Sequence, residues 1–187
     1  MINIALVHYP VLNRSGETIA SAVTNLDIHD IARVARTWGV AGYYVVTPLA
    51  EQQALVAELI GHWTGGVGGE MNPDRRSALE LVRIAGSLKD VREDVALKTS
   101  GCSFTYATTA RNRQNSVRWS DLRKGLVKGR DDLLLVFGTA SGLAEQVFDE
   151  VDGAMEPIRG IGEYNHLSVR SAVAIALDRL LSSDRDG

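Results

Sequence analysis

A chain of 187 residues, 45% hydrophobic and 23% charged, is long enough to bury one substantial core and too apolar to be disordered. Its formal net charge of -3 excludes a globally basic nucleic-acid binder, so any contact with phosphate must use a local patch. The lone Cys102 excludes an intrachain disulfide.

In chain order, the near-continuous apolar run Ile2 to Val7 predicts a strand buried on both faces, ended by His8-Tyr9-Pro10. Leu12 to Glu17 has the composition of a loop. After Thr24-Asn25-Leu26-Asp27, the recurrence of Ile28, Ile31, Ala32, Ala35 and Trp38 predicts a helix that stops at Gly39, with Asp30, Arg33 and Arg36 on its polar side. Ala41 to Thr47 predicts the second strand and completes a βαβ unit. Leu55, Val56, Leu59, Ile60 and Trp63 predict the next helix, and Gly65-Gly66-Val67-Gly68-Gly69 is expected to break regular structure. Asn72-Pro73 starts another helix, expected to carry Ala78, Leu79, Leu81, Val82 and Ala85.

Leu88 to Thr99 fits a surface helix, although Val95 to Leu97 also suits the start of a strand. Phe104 to Thr109 predicts a strand, Ser120 the cap of a helix, and Leu133 to Phe137 a buried strand. A short helix through Val147 and Phe148 and a strand near Ala154 to Pro157 follow. Val169, Ala172, Val173, Ala176, Leu177 and Leu180 form the apolar stripe of a last helix, and the tail from Ser182 is expected to fray. Strands alternating with helices predict one α/β domain, residues 1–187, with a parallel sheet covered on both faces.

Familiar motifs can be eliminated in turn. Gly160-Ile161-Gly162 lacks the third glycine of a dinucleotide fingerprint, no Gly-Lys-Ser/Thr follows Gly65 to Gly69, and there is no Gly-x-Ser-x-Gly elbow. His8, His29, His62 and His166 show no metal-ligand pairing, so no metal is expected. What remains is a pocket at strand ends, built from backbone groups of Phe137 to Gly142 and Ile158 to Ser168 with apolar walls from Leu143, Ile158 and Leu167. The same glycines also suit plain tight turns. Arg111, Arg113, Arg118, Arg123, Lys124, Lys128 and Arg130, with Trp119 among them, suit phosphate binding or a solvated surface. The amino terminus lacks a basic lead and a cleavage site, and no apolar run reaches bilayer length, so a cytoplasmic location is expected, with no membrane partner.

Six blocks resemble the SPOUT class of S-adenosylmethionine-dependent RNA methyltransferases: His8-Tyr9-Pro10-Val11, Ala22 to Arg33, Tyr43 to Pro48, Asn72 to Arg75, Phe137 to Gly142 and Glu156 to Arg179. They are most similar to a small bacterial family that also occurs fused behind tRNA (guanine-N1)-methyltransferase. The resemblance implies an α/β-knot domain with a carboxyl-terminal trefoil knot, its last helix threaded through an earlier loop, and a homodimer. It also implies a cofactor cup in the loops after Thr108, Phe137 and Pro157: Thr108, Thr109, Phe137, Gly138, Thr139, Gly142, Ile158, Gly160, Gly162, Tyr164, Asn165, His166, Leu167 and Ser168.

The implied reaction is methyl transfer to a nucleotide of tRNA or rRNA, for which a protein aligns the nucleophile and manages its proton. Arg33 matches a substrate-phosphate or catalytic arginine, and Asp27 or His29, with Asn25 nearby, the base. Each also has a structural reading, since Asp27 suits a helix cap and Arg33 a pair with Asp30. Family members usually carry Gly-Trp at Ala140-Ser141, and His166 stands where an Asn is common. A non-catalytic RNA- or nucleotide-binding module that keeps the cup is the alternative.

Overall fold

The computed structural model describes residues 1–99, 103–127, 132–162 and 164–182. Strand β1 (Ile2–Val7) is buried along its whole length. A small hairpin then joins β2 (Val11–Leu12) to β3 (Thr18–Ile19), where a plain loop is expected; Asn13 closes it by accepting from the N–H groups of Ser15 and Glu17, both at 2.9 Å. Helix α1 (Asn25–Thr37) is capped by Thr24 and buries Ile28, Ile31, Ala32 and Ala35.

Strand β4 (Gly42–Val46) and helix α2 (Ala50–Thr64) follow as expected. The glycine run, however, does form regular structure. Helix α3 (Val67–Met71) turns back so tightly on α2 that a Cβ at Gly69 would lie 2.2 Å from the Trp63 carbonyl oxygen, so the glycines serve close packing. A second departure follows. Helix α4 (Pro73–Leu79), capped by Asn72, stops six residues short of Ala85, and Val82–Ala85 is strand β5, paired in parallel with Tyr43–Val46. Sheet pairing overrides the local helical spacing there.

A Ser87–Asp90 capping box starts helix α5 (Leu88–Lys98), so Val95 to Leu97 are helical. Strand β6 (Ser103–Ala107) precedes helix α6 (Trp119–Val127), which begins before Ser120; the Trp119 N–H donates to Glu156 Oε1 at 3.0 Å instead of being preceded by a serine cap. Strand β7 (Asp132–Gly138), helix α7 (Glu145–Asp149) and the two-residue strand β8 (Gly153–Ala154), shorter than expected, lead to helix α8 (Val169–Leu181), capped by Ser168. Residues 183–187, most of the expected frayed tail, lie outside the described residues.

The six long-range strands form one sheet in the order β5-β4-β1-β7-β6-β8, with every pair parallel. Ile4, Leu6, Tyr43, Val45, Leu133, Leu135 and Phe137 join a core shared with α1, α6 and α8, while Ala5, Val7, Tyr44, Val46, Leu134 and Val136 join one shared with α5 and α7. Alternation along each strand thus feeds two apolar layers. The strand order reverses between β1 and β7, and in open α/β sheets such a reversal opens a crevice at the carboxyl ends of the strands.

Candidate active site

At that crevice the chain places a row of hydrogen-bonding side chains. Thr139 Oγ1 donates its one hydrogen to the Val7 carbonyl at 3.0 Å. Ser21 Oγ lies within hydrogen-bonding distance of Thr139 Oγ1, of His8 Nδ1 at 3.1 Å and of the His8 carbonyl, to which it donates at 3.4 Å. The His8 ring is fully buried, its Nε2 has no partner among the described residues, and burial holds its pKa below the ordinary value against the opposing charge of Asp27. The loop after β7 is also tied to the first hairpin by backbone bonds, Leu12 N–H to Gly142 O at 2.8 Å, Ser141 N–H to Leu12 O at 2.9 Å and Ala144 N–H to Pro10 O at 3.2 Å.

Three loops meet there. In the 138–144 loop, Gly138 allows Leu143 to fold back, because a Cβ would lie 2.7 Å from the Leu143 nitrogen, and Gly142 takes φ +106°. Ala140 occupies the left-handed region at φ +52°. Phe137 is a buried core side chain, which leaves only its backbone for a ligand. In the 108–118 loop, Thr108 donates from both N–H and Oγ1 to Val136 O, at 2.8 and 3.0 Å, and Thr109 Oγ1 accepts from the Arg111 N–H.

The 156–168 loop joins them through Arg159 to Asn112 and through the Glu156 carboxylate and carbonyl to Trp119. It leaves Ile161, Tyr164 and Leu167 exposed, with Tyr164 against His166 at 5.5 Å between ring centroids. Ile158 is half-buried, Gly160 exposed, Gly162 at φ +87°, and Asn165 half-buried. Uncovered apolar side chains beside backbone-lined turns are what an adenosyl group would cover, so the residues present fit such a ligand.

The polar residues of α1 do not act as one cluster. Thr24, not Asp27, is the cap. Thr24 Oγ1 contacts Asp27 Oδ2 at 2.6 Å, and the other Asp27 oxygen accepts from Arg170 Nη1 at 3.1 Å. Asp30 faces Arg170 Nε at 3.5 Å, so it does not pair with Arg33. Arg33 is exposed and forms no ion pair among the described residues. His29 lies on the opposite flank from Asp27, edge-on to Trp63, with its pKa held down by burial and by the Arg75 charge. Asn25 sits exposed in the first turn.

An open groove of about 480 Å³ separates α1 from α8, lined by Asp30, Arg33, Trp38 and Arg170 among others. Sequence reasoning missed Arg170, Ser21 and the partners of His8. The only local signal was that Arg170 lies in the polar face of a strongly periodic helix.

Much of the basic segment is internally engaged. Arg113 stacks over Phe148 at 3.7 Å and pairs with Glu145; Arg118 and Lys124 face Asp121 at 2.8 and 3.8 Å; Arg123 donates to the Ser182 carbonyl. Arg111 is exposed, and Lys128 and Arg130 lie outside the described residues, as does Cys102. Among the described residues no helix is long and apolar enough to cross a membrane, and no group of three His, Cys, Asp or Glu side chains forms a metal site.

Residues 1–182 match the sequence profile of the SAM-dependent RNA methyltransferase family. A tRNA (guanine-N(1)-)-methyltransferase of Oleidesulfovibrio alaskensis is 44% identical over 177 residues, covering 95% of this chain and 41% of that protein. The chain thus spans about two-fifths of the length of that relative. An uncharacterized protein of Aquifex aeolicus is 41% identical over 182 residues, 97% of this chain and 89% of its own. A methylase family protein from Neisseria gonorrhoeae has a similar fold, with TM-score 0.66 at 18% identity over 100% of this chain and 84% of that one. The parallel α/β fold is the one expected of a SPOUT methyltransferase.

Proposed function

Because the chain belongs to the SAM-dependent RNA methyltransferase family, we propose that it methylates a nucleotide of tRNA or rRNA, with the three loops as cofactor cup and the exposed side of α1 as substrate site. The observation that carries this reading is the meeting of those loops at the sheet's switch point, beside a helix whose Arg33 forms no ion pair among the described residues. The name of the relative supports tRNA, although that protein is more than twice this chain's length.

When bound, S-adenosylmethionine supplies an electrophilic methyl group on a positive sulfonium. Backbone groups of residues 137–142 and 158–168 hold and orient the ligand, and Ile158, Ile161 and Leu167 exclude water from its faces. Arg33 anchors the phosphate next to the acceptor. The two candidate bases are Asp27, whose oxygens are held by Arg170 and Thr24, and His29, which is turned toward Trp63.

The same reading includes one domain over residues 1–187, a cytoplasmic location, a carboxyl-terminal knot and a homodimer. The knot would need the chain after β8 to pass close to the 108–118 loop, and residues 154–156 do bond alongside Val117 of that loop before the chain reaches α8. The groove between α1 and α8, with Trp38 in its wall, supports a second copy as occupant. A non-catalytic RNA-binding module is the second reading, favoured by Ala140, a residue with a Cβ at a left-handed position of the cup.

Calorimetric titration with S-adenosylmethionine tests the cup, and absence of binding removes the enzyme reading. Tritium transfer from the cofactor into RNA from cells lacking the protein then separates enzyme from binder: incorporation is expected, and binding without incorporation selects the module.

A further inference from the structure

The solvent side of α1 divides into two stripes of opposite charge. Asp27 and Asp30 lean toward α8, where Arg170 spans both. His29, Arg33 and Arg36 recur at i, i+4 and i+7, with His29 on the flank nearer α4 and Arg33 at the solvent-facing middle, where it also borders the groove toward α8. There the Arg75 guanidinium lies over the Trp63 ring, 4.6 Å from its centroid. His29 meets the same ring edge-on at 5.5 Å and 86°, and His62 at 5.2 Å and 89°. The charges of both Arg75 and Arg33 reach His29.

Arg33, Arg36 and Arg75 have no carboxylate partner among the described residues, whereas Arg76, Arg113 and Arg118 each have one and Arg170 has two. An arginine stacked on an aromatic face is held in place yet keeps the N–H edge of its guanidinium available.

We propose that Arg36 and Arg75, in line with Arg33 and braced by Trp63, form a phosphodiester-binding stripe that guides a strand of the RNA substrate across α1 and α4. The inference rests on the RNA methyltransferase reading. It assigns the guiding contact to this flank rather than to the basic segment at 111–130, where Arg113 and Arg118 are already neutralised by Glu145 and Asp121. Half-exposed Trp63 and His29 add ring surface beside the cations, as suits a nucleotide strand better than an acidic peptide.

Anisotropy titration of labelled unfractionated tRNA with the full chain, between about 50 and about 200 mM salt, tests this. Arg36→Glu and Arg75→Ala together are expected to weaken binding about tenfold and to lower the salt slope by about one per arginine. Arg76→Ala, on the same helix but bridged to Glu80, is expected to change neither. Calorimetric binding of S-adenosylmethionine should be unaffected in all variants. Arg36 is exposed with no side-chain partner among the described residues, so Arg36→Glu alone carries the test should loss of Arg75 loosen the packing on Trp63.

If the wild-type chain binds tRNA and the variants bind it with unchanged affinity and slope, the stripe is overturned while the RNA methyltransferase reading stands. If the wild-type chain binds S-adenosylmethionine but no RNA, both fall, and an acidic protein partner becomes the occupant to seek.

Discussion

Arg170 on α8 donates to Asp27 on α1 at 3.1 Å, joining residues 143 positions apart. The Asp27 side chain is only 12% exposed, so removing the guanidinium leaves an almost buried carboxylate supported by Thr24 alone. Arg170→Ala is expected to lower unfolding free energy by about 1–3 kcal/mol in urea denaturation. Asp27→Asn combined with it should cost less than the sum of the two single changes, and strict additivity would show that the pair is not coupled.

Ala140, at φ +52°, holds a conformation that glycine adopts at lower cost. Ala140→Gly is expected to raise stability by about 0.5–1 kcal/mol, less any gain in unfolded-chain entropy. Gly142→Ala, at φ +106°, should move the thermal midpoint the opposite way. A destabilised Ala140→Gly protein would mean that the methyl group is needed for packing.

Arg33→Ala is expected to reduce methyl transfer by about a hundredfold or more while leaving calorimetric affinity for S-adenosylmethionine intact. Unchanged transfer would take Arg33 off the substrate side, and lost cofactor affinity would assign it to the cup.

Burial holds the imidazoles of His8 and His29 below their ordinary pKa of 6.5. In the unfolded chain both return to about 6.5, so below that pH the unfolded state binds more protons than the native state. The stability they contribute is complete above pH 6.5 and declines as the pH falls toward their lowered native values. Urea midpoints at about pH 5 should lie below those at about pH 7.5, with a smaller gap in His8→Gln. A gap untouched by that substitution would assign the loss to carboxylates.

Within the basic segment, Arg113 and Arg111 should separate. Arg113→Ala, losing the stack on Phe148 and the pair with Glu145, is expected to lower stability by about 1 kcal/mol. Exposed Arg111→Ala should leave the melting curve unchanged and slightly weaken tRNA binding in the salt titration. Equal effects on both readouts would contradict the division.

The elements legible in the sequence are those whose apolar residues repeat at their own period inside a covered layer: β1, α1, β4, β7 and α8. Strand β5 is not, because Val82-Arg83-Ile84-Ala85 extends the spacing of Ala78 and Leu79, and only pairing with β4 makes it a strand. The loops of the candidate cup are visible as glycine-bearing turns after apolar runs, while their ligand came from family resemblance. Side-chain partnerships are the least legible. Asp30 has an arginine one turn away on its own helix, yet it faces Arg170, because the packing of α8 beside α1 is a long-range property.

The backbone bonds that tie Leu12 to Ser141 and Gly142, and Pro10 to Ala144, make the first hairpin and the loop after β7 a single opening unit. A ligand that occupies only the closed loop then stabilises both halves by the same mass-action free energy. The amide hydrogen of Leu12, which belongs to no candidate cofactor residue, would consequently exchange more slowly in step with that of Ser141 as the ligand saturates, reporting occupancy from the other end of the chain.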